Sequence, residues 1–280
     1  GPILFSLGLL PVLLNLPMDR VPIWLYLILV VSLDVAHVWA TIFRTLFDPE
    51  ELRRRPFHYI YLPVILAIVT LALCLFDLKI FWTIAAYLAI YHFVKQDYGF
   101  LALYKLRAKE SNRVDFFADK AFLYSVTWLP VLLWHASPNR RFDWFDAGET
   151  FAFGGLPESF QTTIAGLYLA FLLIFIVVQA WQIRRGHSRN IPKLLFLTLV
   201  AVRWGVGSLF EHPLVSLAFI NLFHGLPYIV LTRRVALSRW TRQKPKSRSE
   251  KIALSLLLRF GLGMIVLIFF LGLFEEVLWD

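Results

Sequence analysis

Nine stretches of this chain are too apolar to be solvated by water along their length, and that constrains its fold more than any other feature. A helix needs roughly 20 apolar residues to cross the hydrocarbon core of a bilayer. The runs extend approximately from Leu4 to Leu16, Val21 to Leu46, His58 to Phe76, Ile80 to Tyr104 and Phe116 to Ala136. Four more follow, from Phe160 to Ile183, Leu194 to Phe210, Pro213 to Leu231 and Ile252 to Phe274. They predict an all-α, polytopic transmembrane bundle of about nine spans, forming one integral membrane domain over residues 1–280. The first run is short. No basic segment precedes it, so a cleaved signal peptide is not expected. The chain opens Gly1-Pro2 without a Met and stops just after an apolar run, so trimming at one or both ends is expected.

The connections between runs carry a second, independent pattern, because Lys and Arg accumulate on the cytoplasmic side of a membrane. Alternate connections are basic. They hold Arg44 with Arg53, Arg54 and Arg55, then Lys105, Arg107, Lys109 and Arg113, then Arg184, Arg185, Arg189 and Lys193. The fourth is the strongest, from Arg233 and Arg234 to Lys251. The intervening connections, including the acidic segment Asp143 to Glu158, are poor in basic residues, and the tail Glu275-Glu276 is acidic. An odd number of crossings follows, in a cytoplasmic membrane, with the amino terminus cytoplasmic and the carboxyl terminus outside. Ser137 to Ser159 is long enough to cap the outer face. The net charge of +9 is therefore a membrane-surface signature, and no nucleic-acid partner is implied. Arg239 to Arg248 reads as a contact with anionic lipid. Nothing implies a soluble protein partner, and the single cysteine, Cys74, lies within an apolar run as a small core residue.

Against this background the polar residues inside the runs stand out. An ionisable side chain at mid-membrane costs on the order of 2.5–3.5 kcal/mol, so each is a functional suspect. The second run places Asp34, His37 and Thr41 on one helical face, the fourth places His92, Gln96 and Gly99, and the eighth places Asn221, His224 and Tyr228. Depth follows from a rise of about 1.5 Å per residue. His37 lies roughly 10 Å in from Arg44, His224 roughly 13 Å in from Arg233, and His92 roughly 20 Å in from Lys105. Three imidazoles on three spans thus occupy neighbouring layers.

Neutral imidazole is the commonest protein ligand for transition metals, and a cluster in a low-dielectric setting gains greatly from a divalent ion. We therefore read His37, His92 and His224 as candidate ligands of iron or another divalent transition metal. Asp34 and Gln96, each one turn from a histidine, are candidates to fix imidazole orientation, with Asn221 and Arg203 as further supporting residues. Arg203, in the middle of the seventh run, has Asp34, Asp97 or a substrate headgroup as candidate partners. Tyr228 and Asp97 are the catalytic candidates, Tyr228 as a ligand or hydrogen-bond donor and Asp97 as a base. His58, His135, His187 and His212 lie near run ends, where exposure is cheap, and are expected to be structural.

The segment Tyr91-His92-Phe93-Val94-Lys95-Gln96-Asp97 resembles the His-Phe-x-x-x-Asp element of the Brp/Blh family of membrane β-carotene dioxygenases. His37 matches the earlier histidine of that family, and Phe219-Ile220 with Phe223-His224 is loosely similar to its later element. The sequence departs from the family at Tyr228, where a second histidine is expected, and at Asp34, which precedes His37 instead of following it. The resemblance implies a non-haem iron held by histidines, with O2 as co-substrate and a long apolar polyene such as a carotenoid as substrate. The expectation is thus a membrane oxidoreductase, an oxygenase acting on a lipid-soluble substrate. The rival is a proton-coupled transporter or channel that uses the same His and Asp residues as a relay. A lipid-modifying transferase with His92 or Asp97 as base is a third reading.

Overall fold

A computed structural model describes residues 27–110, 112–137, 155–186, 190–210, 213–242, 245, 247–258 and 262–279. The first apolar run, most of the segment 137–159, His187 and His212 lie outside the described residues, as does the side chain of Asn221. Among the described residues the protein is all-helical, without strands. Helix α1 is a continuous rod whose winding tightens along its length, from a wide π-helical stretch, Leu27–Val35, through the α-turn Ala36–Trp39 to a 3-10 stretch, Ala40–Arg44. The short α2, Pro49–Arg54, follows, with the Asp48 carboxylate accepting from the Glu51 amide as its cap. Then come α3 (Phe57–Tyr61 continuing into Leu62–Phe76), α4 (Leu78–Arg107), α5 (Arg113–Ala136), α6 (Ser159–Arg184) and α7 (Ile191–Gly207). The series ends with α8 (Pro213–Arg242), α9 (Arg248–Leu258) and α10 (Leu262–Trp279).

Among the described residues three helices are long and apolar enough to cross a membrane, Phe57–Phe76, Val114–Ala136 and Ser159–Arg184. The first of these shows why lipid is the fitting solvent. Ile68, Leu71 and Leu75 are 64%, 61% and 81% exposed, a display of apolar surface that soluble proteins avoid.

Contacts group the chain into two compact units, Gly1–Asp77 with Asn221–Asp280, and Leu78–Ile220. The second unit is built on α4 to α7, with α5 packed on α6 and α7 around Phe122, Leu123, Val126, Phe175 and Leu197. Side-chain bonds at both ends fix alternate directions for these four helices. At one end Lys105 of α4 and Lys193 of α7 meet Asp119 of α5, while Gln182 of α6 donates to Asp115. At the other, Tyr87 of α4 meets His135 of α5, and the Trp134 indole donates to the Phe210 carbonyl beyond α7. These four helices therefore pack with alternating directions.

The end bearing Lys105 holds a buried charge cluster that includes Lys105 and Lys193, two of the basic residues of the connections. Lys105 Nζ lies 2.6 Å from Asp119 Oδ2 and 2.9 Å from Glu110 Oε2, and Lys193 Nζ lies 2.9 Å and 3.0 Å from the same two oxygens. All four side chains are buried or nearly so. Burial by itself would lower the Lys105 ammonium, but hydrogen bonds to Asp119 and Glu110 and the charges of both outweigh it and hold the group above its ordinary value. Burial would likewise raise Glu110, and the hydrogen bonds it accepts from Lys105, Asn190 and Lys193 reverse that and hold it below the usual carboxylate range.

In the first unit α10 packs along α1 around Ala36, Ala40, Phe43, Met264 and Ile268. The ninth apolar run was expected to cross once and deliver Glu275 to the face opposite the basic connections. The run is described as two helices, α9 and α10, and a Cβ at Gly263 would meet the Leu256 carbonyl. Gly272 lies beside Val31 and Val35, and Glu275 accepts from the Trp39 indole at 2.7 Å. Glu275 lines one cleft with Arg44 and Arg239. Between the two helices the sequence Arg259-Phe260-Gly261 places a charge and a helix-weakening glycine in the middle of the run.

Candidate metal centre

Two of the three expected ligands come together in the first unit. His37 of α1 and His224 of α8 are 2% and 1% exposed, with Nε2 atoms 3.1 Å apart and ring planes at 90°. Their approach depends on one residue without a side chain. A Cβ at Gly225 would run into the carbonyl of Leu33, so glycine at this position lets α8 close onto the π-helical part of α1.

The same Leu33 carbonyl sets the state of His37. Its oxygen is 3.2 Å from His37 Nδ1, and a carbonyl only accepts, so Nδ1 carries the proton and Nε2 points its lone pair at His224. Asp34 Oδ1, 3.6 Å from Nδ1, reinforces that tautomer.

Two chemical states fit the pair. In one, His224 Nε2–H donates to His37 Nε2. In the other, both nitrogens present lone pairs to a shared cation. Two imidazole nitrogens each about 2.0–2.1 Å from one ion are separated by about 2.9 Å at a right angle and about 3.4 Å at the tetrahedral angle. The observed 3.1 Å falls between those limits, so the donor set fits a divalent transition metal. Tyr228, one turn beyond His224, stands with its ring 5.7 Å from that of His37 and at 80° to it, and its hydroxyl is hydrogen-bonded with Thr232. Tyr228 also lines the cleft that contains Trp39, Thr41, Arg44, Arg54 and Tyr59. Thr41 itself donates to the Val38 carbonyl, so it borders the cleft and does not join the histidines.

Apart from Asn221, the remaining site candidates belong to the second unit. His92 is exposed, with its ring 6.1 Å from that of Phe93, and Gln96 is half-buried on the same helix. Asp97 is buried and accepts from the Arg203 guanidinium and, at 3.3 Å, from the Trp204 indole. Of the partners proposed for Arg203, it meets Asp97, so Asp97 is held in a buried ion pair. His135, expected to be structural, is 2.7 Å from the Tyr87 hydroxyl beside an apolar cavity, a pairing that no spacing along the chain could have indicated.

A scan against known protein families and searches of curated proteins and of solved structures found no match for this chain.

Proposed function

We propose that the protein is a polytopic membrane oxidoreductase whose histidine-held transition metal acts on a lipid-soluble substrate. The observation that carries this reading is the buried His37–His224 pair at 3.1 Å, with the His37 lone pair aimed at its partner by the Leu33 carbonyl. His92 enters as the third ligand on its depth in the sequence alone. The nine apolar runs are read as spans, the ninth made of α9 and α10. A bound ion of this kind supplies a Lewis-acidic, redox-active centre with coordination positions open to substrate or O2. Iron is the metal implied by the resemblance to the β-carotene dioxygenases, and a carotenoid or similar polyene is the matching substrate class.

The roles of the chain's own groups follow from their positions. His37 and His224 bind the ion, and Asp34 and Leu33 hold His37 in the tautomer that can do so. Tyr228 stands between this pair and the cleft, placed to orient an incoming molecule with its ring and hydroxyl.

Elemental analysis of the purified protein in detergent tests the reading. About one divalent transition-metal ion per chain is expected, with its loss in His37→Ala, His224→Ala and His92→Ala. Oxygen uptake dependent on β-carotene is expected from the metal-loaded protein. A preparation without metal, or His224→Ala with full metal content, overturns the proposal. If a metal-free protein also drives pH-dependent flux in liposomes, the pair is a hydrogen-bonded proton relay and the transporter reading replaces it.

A further inference from the structure

The second unit holds a half-open cavity whose wall includes neither His37 nor His224. Ala86, Ile90, Phe93, Pro130, Val131 and Ile220 make its wall almost wholly apolar, which suits a lipid-soluble molecule. The few polar groups on the wall decide which kind.

Each proton that can be followed leads away from the space. His135 Nδ1 is 2.8 Å from the Val131 carbonyl, so it carries the proton and leaves Nε2 as an acceptor. Tyr87 Oη, 2.7 Å from that Nε2, must then be the donor. The Trp134 indole donates to the Phe210 carbonyl at 3.0 Å, and the Trp204 indole to Asp97 Oδ2 at 3.3 Å. Ser208 Oγ donates to the Gly205 carbonyl at 2.8 Å. Five donors on one wall are thus committed elsewhere. With its proton on His135, the Tyr87 oxygen can only accept, and the Ser208 oxygen is in the same position. Ser216, also on the wall, serves as donor or acceptor.

We propose that this cavity is a binding site for an apolar molecule bearing a hydroxyl group, a hydroquinone or a lipid alcohol, whose O–H donates to Tyr87 Oη. The carbonyl or ether form of the same skeleton finds no matching donor in the Tyr87–His135 chain. Selectivity therefore arises from a proton direction fixed at the Val131 carbonyl, two hydrogen bonds away from the ligand. None of the three histidines read as metal ligands is on the cavity wall, so the proposal does not rest on the metal centre.

The test is calorimetric titration of the full-length protein in detergent with decyl-hydroquinone and with its dimethyl ether, which has the same tail and ring without the O–H. One hydrogen bond contributes about 0.5–1.5 kcal/mol, so the hydroquinone is expected to bind roughly two- to tenfold more tightly. Tyr87→Phe keeps the ring and removes the accepting oxygen, and should abolish that preference while leaving ether binding unchanged. Ile90→Trp fills the cavity and should remove binding of both compounds. Equal affinities in the unmodified protein, a preference that survives Tyr87→Phe, or binding unaffected by Ile90→Trp each overturns the proposal.

Discussion

The charge cluster that joins α4, α5 and α7 makes a quantitative demand on stability. Asp119 is fully buried and faces two ammonium groups, at 2.6 Å from Lys105 and 2.9 Å from Lys193. Glu110 is the second anion, so the four side chains sum to zero charge. Asp119→Ala leaves two buried cations with one carboxylate between them. Breaking a buried pair by removing one partner costs about 3–5 kcal/mol, most of it the uncompensated charge. That is roughly two to four orders of magnitude in the unfolding equilibrium constant. The double variant Lys105→Met/Asp119→Leu removes one charge of each sign and keeps the Lys193–Glu110 pair at 3.0 Å. Apolar replacement of an ion pair is often neutral, so the double variant should recover to within about 1.5 kcal/mol of the parent. Unfolding in mixed micelles by SDS titration, followed by circular dichroism, measures both. A loss below about 1 kcal/mol for Asp119→Ala would refute the reasoning, as would a double variant less stable than the single one.

The same cluster sets a pH dependence. Glu110 is held below its ordinary value, so its contribution is full above the unfolded-state value and is lost as pH falls through the depressed one. Lys105 is held above its ordinary value, so its contribution is full below the unfolded-state value and is lost as pH rises through the raised one. Unfolding titrations across pH should show a plateau around neutrality with losses at both extremes, and Glu110→Gln should flatten the acid limb. At the histidine pair, Gly225→Ala should reduce bound metal although both ligands remain, because the added methyl meets the Leu33 carbonyl and pushes α8 away from α1. Elemental analysis checks this, and full metal content in that variant would show that the close approach is not required.

Hydrophobic run length and the alternation of basic connections made the helices legible in the sequence, because both are one-dimensional signals written by the solvent. Eight of the nine apolar runs contain described helix, and α4 to α7 alternate in direction. His37 and His224 were legible for the same reason, since an imidazole within an apolar run is costly unless something satisfies it. Run length does not show that the ninth run divides into α9 and α10, and the Trp39–Glu275 bond joins residues far apart in the chain.

Partner choice was decided by tertiary structure alone. Asp97 with Arg203, Tyr87 with His135, and Asp119 with two lysines each unite different helices. Helical periodicity fixes which face a residue occupies and at what height, but not which neighbouring helix fills the space opposite. Proton direction is more remote still. The tautomers of His37 and His135 are set by the Leu33 and Val131 carbonyls, backbone atoms whose aim exists only once the helices have formed.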